Sequence, residues 1–119
     1  MKVLIVEDEE ALLEILEQQL GSENYVFKSA RDGEEAIKLA ESFMPDVILL
    51  DLMLPKKDGF QVLQELKADP KTKKIKIIVV SNLADDESIK KALKLGADDY
   101  YVKCEHSIFE ILEKVKKAK

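Results

Sequence analysis

DVILLDLMLPKKDGF, residues 46–60, decides the fold. Asp46–Leu50 is the most apolar strand candidate in the chain, which places it at the centre of a sheet. The run ends on a carboxylate, Asp51. Pro55 and Gly59 then mark a loop, and Phe60, Val62, Leu63 and Leu66 recur at helical spacing as far as Asp69-Pro70. One strand, one loop and one helix are thus read in sequence.

The same alternation extends in both directions. Upstream, Lys2–Val6 (KVLIV) has the β-branched character of a strand buried on both faces. Leu12, Leu13, Leu16 and Leu20 form one helical face over residues 10–20, which Gly21 is expected to end. Tyr25–Ala30 reads as a strand. Asp32, with Glu35 three residues on, is an N-terminal cap opening a helix through Ala36, Ile37, Ala40 and Phe43, stopped by Pro45. Downstream, Ile75–Val80 reads as a strand and 84–95 as a helix ending at Gly96. Asp98–Val102 is a fifth strand. Ser107 and Glu110 form a capping box for a last helix that turns Ile108, Ile111, Leu112 and Val115 inward. Five βα units joined by short loops predict an α/β fold, a doubly wound five-stranded parallel sheet with helices on both faces.

Composition sets the class. The 119 residues are expected to form a single domain, and a chain of this length buries about two thirds of its unfolded surface. Apolar residues make up 46%, too many for disorder. No apolar run approaches the roughly 20 residues of a membrane span, and MKVLIVEDEE is too acidic and too briefly apolar for a signal peptide. The lone Cys104 excludes an internal disulfide framework, so a cytoplasmic location is expected. A net charge of −5 argues against nucleic-acid binding, as does the presence of only one arginine, Arg31, among 19 basic residues.

In a sheet of this kind, ligands bind beyond the carboxyl ends of the strands, where strand order reverses. The residues there are Glu7 and Asp8 after the first strand, Asp51 after the third, Ser81 and Asn82 after the fourth and Lys103 after the fifth. Three carboxylates gathered at neighbouring strand ends repel one another, and a hard divalent cation such as Mg²⁺ is the natural compensator. A carboxylate nucleophile, a metal, a lysine and a hydroxyl together suit phosphoryl transfer to an aspartate, which needs mainly positioning and charge neutralisation.

Four segments in order (LIVEDE, ILLDLMLPKKDGF, VVSN and GADDYYVK) make the chain resemble a response-regulator receiver domain over essentially its whole length. The resemblance implies strand order 2-1-3-4-5. It also implies that Asp51 accepts a phosphoryl group from a sensor histidine kinase or phosphotransfer protein. By the same resemblance, Glu7, Asp8, Asp51 and the Met53 backbone carbonyl would hold Mg²⁺, or Mn²⁺ in its place. Ser81 and Lys103 would bind phosphoryl oxygens, and Ser81 with Tyr100 would form the switch. A downstream protein would then read the face made by the fourth helix, fifth strand and fifth helix. The implied protein is a signalling switch, not an enzyme acting on a separate substrate, and a monomer or weak homodimer.

Four positions depart from the family pattern. Glu7 replaces the commoner Asp and remains an oxygen ligand. Asn82 stands where a small residue is usual, so an altered phosphoryl lifetime is expected. Lys103-Cys104 replaces Lys-Pro, and with no proline a trans bond is expected, since a cis bond would cost about 2.5–4 kcal/mol. Glu105 occupies an often apolar position, in a loop that looks slightly long. Each site residue also has a plainer reading. Glu7 and Asp8 suit the start of a helix, Tyr100 suits strand packing, and Cys104 and His106 need no ligand or catalytic role. Two competing functions follow. One is a receiver-fold scaffold, natural or engineered, that is never phosphorylated. The other is a flavin or nucleotide enzyme, which the acidic first loop disfavours because it repels phosphate.

Overall fold

A computed structural model of the chain describes residues 1–118. The order is β1 (Lys2–Val6), α1 (Glu10–Ser22), β2 (Val26–Ala30), α2 (Gly33–Phe43), β3 (Val47–Leu50), α3 (Gly59–Ala68), β4 (Lys76–Ser81), α4 (Asp86–Lys94), β5 (Asp99–Val102) and α5 (Ile108–Lys117). A short 3-10 turn, Lys103–Glu105, lies between β5 and α5. The strands are all parallel, in the order β2-β1-β3-β4-β5, as expected. The chain leaves β1 toward β2 on one side and then crosses to β3 on the other. The reversal therefore falls between β1 and β3, and the carboxyl ends of those two strands carry Glu7, Asp8 and Asp51.

Period-two alternation sorts the strand side chains into two cores. Leu4, Val6, Ile48, Leu50, Ile77 and Val79 pack with Ala36, Ala40, Val62, Leu63, Leu66 and Ala92 of α2, α3 and α4. Val3, Ile5, Val47, Leu49, Ile78 and Val80 pack on the other face with Leu13, Leu16, Leu20, Ile111, Leu112 and Val115 of α1 and α5. All four residues of β3 are buried, as its apolar sequence demands.

The caps explain most helix boundaries. Asp32 accepts from the Glu35 amide at 2.8 Å, while the Glu35 carboxylate reaches back to the Arg31 amide at 3.0 Å. Ser107 and Glu110 make the full reciprocal box. Asp85 accepts from the Ser88 amide, which starts α4 at Asp86 and not at 84. Helix α1 differs more. It passes through Gly21 to Ser22, because Asn24 takes the left-handed conformation at φ 62° and turns the chain there. No peptide bond among the described residues is cis, so Lys103–Cys104 is trans as expected. No helix of the described residues is long and apolar enough to cross a membrane.

Candidate phosphoacceptor site

Backbone hydrogen bonds carry the sheet one step past the strands and fix where the acids stand. The Glu7 amide donates to the Ala30 carbonyl and the Asp51 amide to the Val6 carbonyl, each at 3.0 Å. Glu7 and Asp51 are consequently buried, at 3% and 5% exposure, although both carry carboxylates. Asp8 is exposed. One carboxylate oxygen from each of Glu7, Asp8 and Asp51 lies within 4.8 Å of the others.

Close backbone packing holds the loop after Asp51. The Gly59 amide donates to the Leu52 carbonyl at 2.8 Å. A Cβ at Gly59 would stand 2.4 Å from Leu52 Cα and 2.5 Å from the Asp51 carbonyl oxygen, so α3 can start here only on a glycine. Gly33 plays a similar part from α2, where a Cβ would lie 2.0 Å from the Lys57 carbonyl oxygen. Inside the loop, the Met53 amide donates to Asp51 Oδ1 at 3.1 Å, which orients the carboxylate.

Lys103 reaches over the end of β4 to meet the acids. Its ammonium lies 2.8 Å from Glu7 Oε1, 3.0 Å from Asp51 Oδ2 and 3.9 Å from Glu9 Oε2. Burial alone would lower its pKa, but the two carboxylates outweigh that effect and hold it above the usual lysine value. Burial pushes the Glu7 carboxyl up to about 7, against the pull of the Lys103 hydrogen bond, and the nearby Asp51 charge adds to the rise. A metal is the compensator expected for the clustered acids. In the structure Lys103 already supplies one positive charge, against three carboxylates.

The other rim of the cleft is built differently. Ser81, the last residue of β4, is fully buried, and its hydroxyl accepts from the Leu83 amide at 3.3 Å. The Tyr100 hydroxyl donates to the Leu83 carbonyl at 2.6 Å, and burial raises its pKa. Ser81 and Tyr100 therefore hold opposite polar groups of one residue, Leu83. Asn82 and Cys104 line a shallow groove beside Lys103 together with Glu9, Ala11, Leu12 and Ile15.

Every site residue expected from sequence lies at this end of the sheet. Sequence reading missed Glu9, whose amide donates to Glu7 Oε2 at 3.1 Å and whose carboxylate approaches Lys103. It also gave no packing role to Gly33 or Gly59. A glycine just inside a helix N-terminus, next to a capping Asp, is the available signal, but the backbone it must clear comes from another segment.

The residues present suit a hard divalent cation. All three candidate ligand side chains offer carboxylate oxygens, two of them buried, and the exposed Asp8 and Met53 leave the cluster open to water on one side.

The response regulator receiver domain family matches residues 3–116. The regulatory protein PhoP of alkaline phosphatase synthesis in Bacillus subtilis is 42% identical over 104 residues, covering 86% of this chain and 42% of that protein. The chain spans about half or less of the length of such curated relatives. The receiver domain of sensor histidine kinase PA1611 from Pseudomonas aeruginosa, solved with a magnesium ion in its active-site cleft, superposes with a TM-score of 0.87. It is 28% identical, over 98% of this chain and 94% of that one. The BeF3-activated N-terminal receiver domain of Klebsiella pneumoniae RstA gives a TM-score of 0.89 at 25% identity, over 99% and 97%. With the strand order, the buried Asp51 and the lysine on it already established, these matches make the chain a member of the response regulator receiver domain family of two-component signalling.

Proposed function

We propose that residues 1–119 act as one receiver domain in which Asp51 is the phosphoacceptor. The observation that carries this is the environment of Asp51, a buried carboxylate at a strand end. Two further acids lie beside it and the Lys103 ammonium is 3.0 Å from one of its oxygens. A carboxylate oxygen of Asp51 attacks the phosphorus of a phosphohistidine on a sensor kinase or phosphotransfer protein. The new P–O bond forms as the P–N bond breaks, and the leaving imidazole nitrogen keeps the electron pair and takes a proton from water.

Glu7, Asp8, Asp51 and the Met53 carbonyl would hold Mg²⁺, with Mn²⁺ able to substitute. When bound, the ion supplies charge neutralisation for the phosphoryl oxygens. Lys103 is placed to neutralise the same oxygens from the β5 side. Ser81 donates its hydroxyl to the phosphoryl group once it gives up its contact with the Leu83 amide. That change removes one of the two bonds on Leu83 and frees Tyr100 to exchange its own. The result is a population shift of the α4-β5-α5 face, which a downstream protein reads. The domain works in the cytoplasm without contacting nucleic acid itself, as a monomer or weak homodimer, and has no enzymatic role beyond gaining and losing its own phosphoryl group.

A receiver-fold scaffold that is never phosphorylated is the alternative, and it draws support from Asn82 and from the missing proline after Lys103. The second support is weakened, because Lys103 meets Asp51 across a trans bond. Intact mass after incubation with a small phosphoryl donor tests the reading. One added phosphoryl group, lost when Mg²⁺ is removed and lost in Asp51→Asn, is expected. An unmodified wild type that binds Mg²⁺, beside a receiver that labels in parallel, would overturn it.

A further inference from the structure

The segment that presents Lys103 has little in its own backbone to hold it. Lys103 starts the 3-10 turn, the bond to Cys104 is trans, and Cys104 and Glu105 face solvent. A turn with so few buried contacts opens locally at small cost. The Lys103 ammonium nevertheless has to stay within hydrogen-bonding reach of Asp51.

His106 closes this turn. Its ring meets the buried Tyr101 edge-on, with centroids 5.1 Å apart and an interplanar angle of 85°. Nδ1 lies 3.1 Å from Glu110 Oε2. The other oxygen of Glu110 accepts from the Ser107 amide, and the Ser107 hydroxyl accepts from the Glu110 amide, both at 3.2 Å. One side chain therefore ties the end of the turn both to β5 and to the capped first turn of α5. The ring also lines a cavity of about 40 Å³ shared with Glu7, Asp51 and Lys103, so the anchor stands on the same internal space as the site.

We propose that His106 is a positioning residue for Lys103, doing with a two-sided side-chain clamp what the proline of a Lys-Pro sequence does by restricting the backbone. The inference rests on the reading of Lys103 as a phosphoryl-binding group. It gives His106 no contact with phosphate or metal.

The test compares wild type, His106→Ala and His106→Asn as full chains, with Lys103→Gln beside them. The readouts are ¹⁵N backbone order parameters, urea unfolding, Mg²⁺ affinity by calorimetry, and the rate of adduct formation from a small phosphoryl donor. In His106→Ala, order parameters at 103–105 fall from about 0.85 toward about 0.6. Adduct formation slows about tenfold through misplacement of Lys103. Mg²⁺ affinity does not fall, because its candidate ligands follow β1 and β3, and it rises to the extent that the Lys103 charge leaves them. His106→Asn keeps an amide able to reach Glu110 and recovers most of both losses.

Unchanged order parameters and rate in His106→Ala would overturn the proposal. So would a rate loss matched by an equal loss of Mg²⁺ affinity, which marks general damage to the site. If His106→Ala does not fold, His106→Asn decides: a partial loss confined to 103–105 and to the rate supports the clamp, and wild-type behaviour overturns it. If wild type takes no phosphoryl group, or Lys103→Gln takes it at the wild-type rate, the reading of the site fails. The order parameters then still decide whether His106 holds the turn.

Discussion

The two rims of the cleft are held in different ways. On the β1–β3 rim, Glu7 and Asp51 continue the sheet's own hydrogen bonding, and the loop after Asp51 is seated by backbone-to-backbone contact at Gly59 and Gly33. On the β4–β5 rim, Leu83 is held by the Ser81 and Tyr100 hydroxyls, and Lys103 by a turn that His106 clamps. Contacts of the first kind cannot yield without moving a helix. Those of the second kind are side-chain contacts, whose neutral hydrogen bonds are each worth about 1 kcal/mol, and in the proposed function they would be exchanged for bonds to a phosphoryl group. A switch needs both, a fixed place for the chemistry and a neighbouring rim that can be rearranged by a new charge.

Gly59→Ala should break the comparison most severely. The added methyl meets the backbone of Asp51 and Leu52, so α3 must shift. We expect a loss of about 2–3 kcal/mol in urea unfolding, despite alanine's better helix propensity, and weaker Mg²⁺ binding with it. A stable Gly59→Ala protein with normal Mg²⁺ affinity would remove the rigid half of the contrast.

Lys103→Met comes next and separates charge from packing. It takes away the cation that Glu7 and Asp51 now share, so Mg²⁺ should bind about tenfold more tightly, while adduct formation slows. Calorimetry and intact mass read the two effects separately. Opposite signs are the expected signature, and a parallel loss of both would show that Lys103 mainly supports the fold of the site.

Much of this architecture was legible in the sequence. The apolar runs of β1, β3 and β4 sit within a residue of their expected places, and the Asp32 and Ser107 caps form as read. Those signals are local. The extension of α1 through Gly21 was not legible, because Asn24 and Gly21 are both acceptable terminators and only the packing of Leu20 and the start of β2 choose between them. The candidate acids and Lys103 were found from their places at strand ends. Their mutual geometry was not, since Lys103 meets Glu7 and Asp51 only after four parallel strands have paired. The 3-10 turn and the His106 clamp were invisible for the same reason.

Tyr100→Phe should have a smaller effect. It removes the hydroxyl from the Leu83 carbonyl and should cost about 1 kcal/mol of stability. Amide exchange should speed up at residues 82–84 and stay unchanged at residues 51–53. Equal acceleration on both rims would show that they are mechanically one.

The smallest effect concerns pH. Burial, with help from the Asp99 carboxylate that accepts its hydroxyl at 2.6 Å, pushes the Tyr101 phenol up to about 12. The fold thus favours the neutral phenol. This contribution is complete below the unfolded value of about 10 and is lost as pH rises from there toward 12. Tyrosinate absorbance should show, beside the raised Tyr100, a late-titrating group that is absent in Tyr101→Phe, and the variant's stability should fall less steeply above pH 10. A Tyr101 that titrates near 10 would mean that β5 is more open than its packing indicates.

The central claim is that a phosphoryl group on Asp51 leaves the β1–β3 rim in place and rearranges the β4–β5 rim. Amide spectra of ¹⁵N-labelled protein, recorded without metal, with Mg²⁺, and with Mg²⁺ plus a small phosphoryl donor, test it directly. Mg²⁺ alone should perturb residues 7–9 and 51–54. Phosphorylation should then add its main changes at Ser81–Ala84, Tyr100 and residues 103–106, with Gly33 and Gly59 nearly still, and Asp51→Asn, which also lacks one candidate metal ligand, should show no second stage even at saturating Mg²⁺. Changes from phosphorylation confined to the neighbourhood of Asp51, or centred on Gly33 and Gly59, would contradict the account.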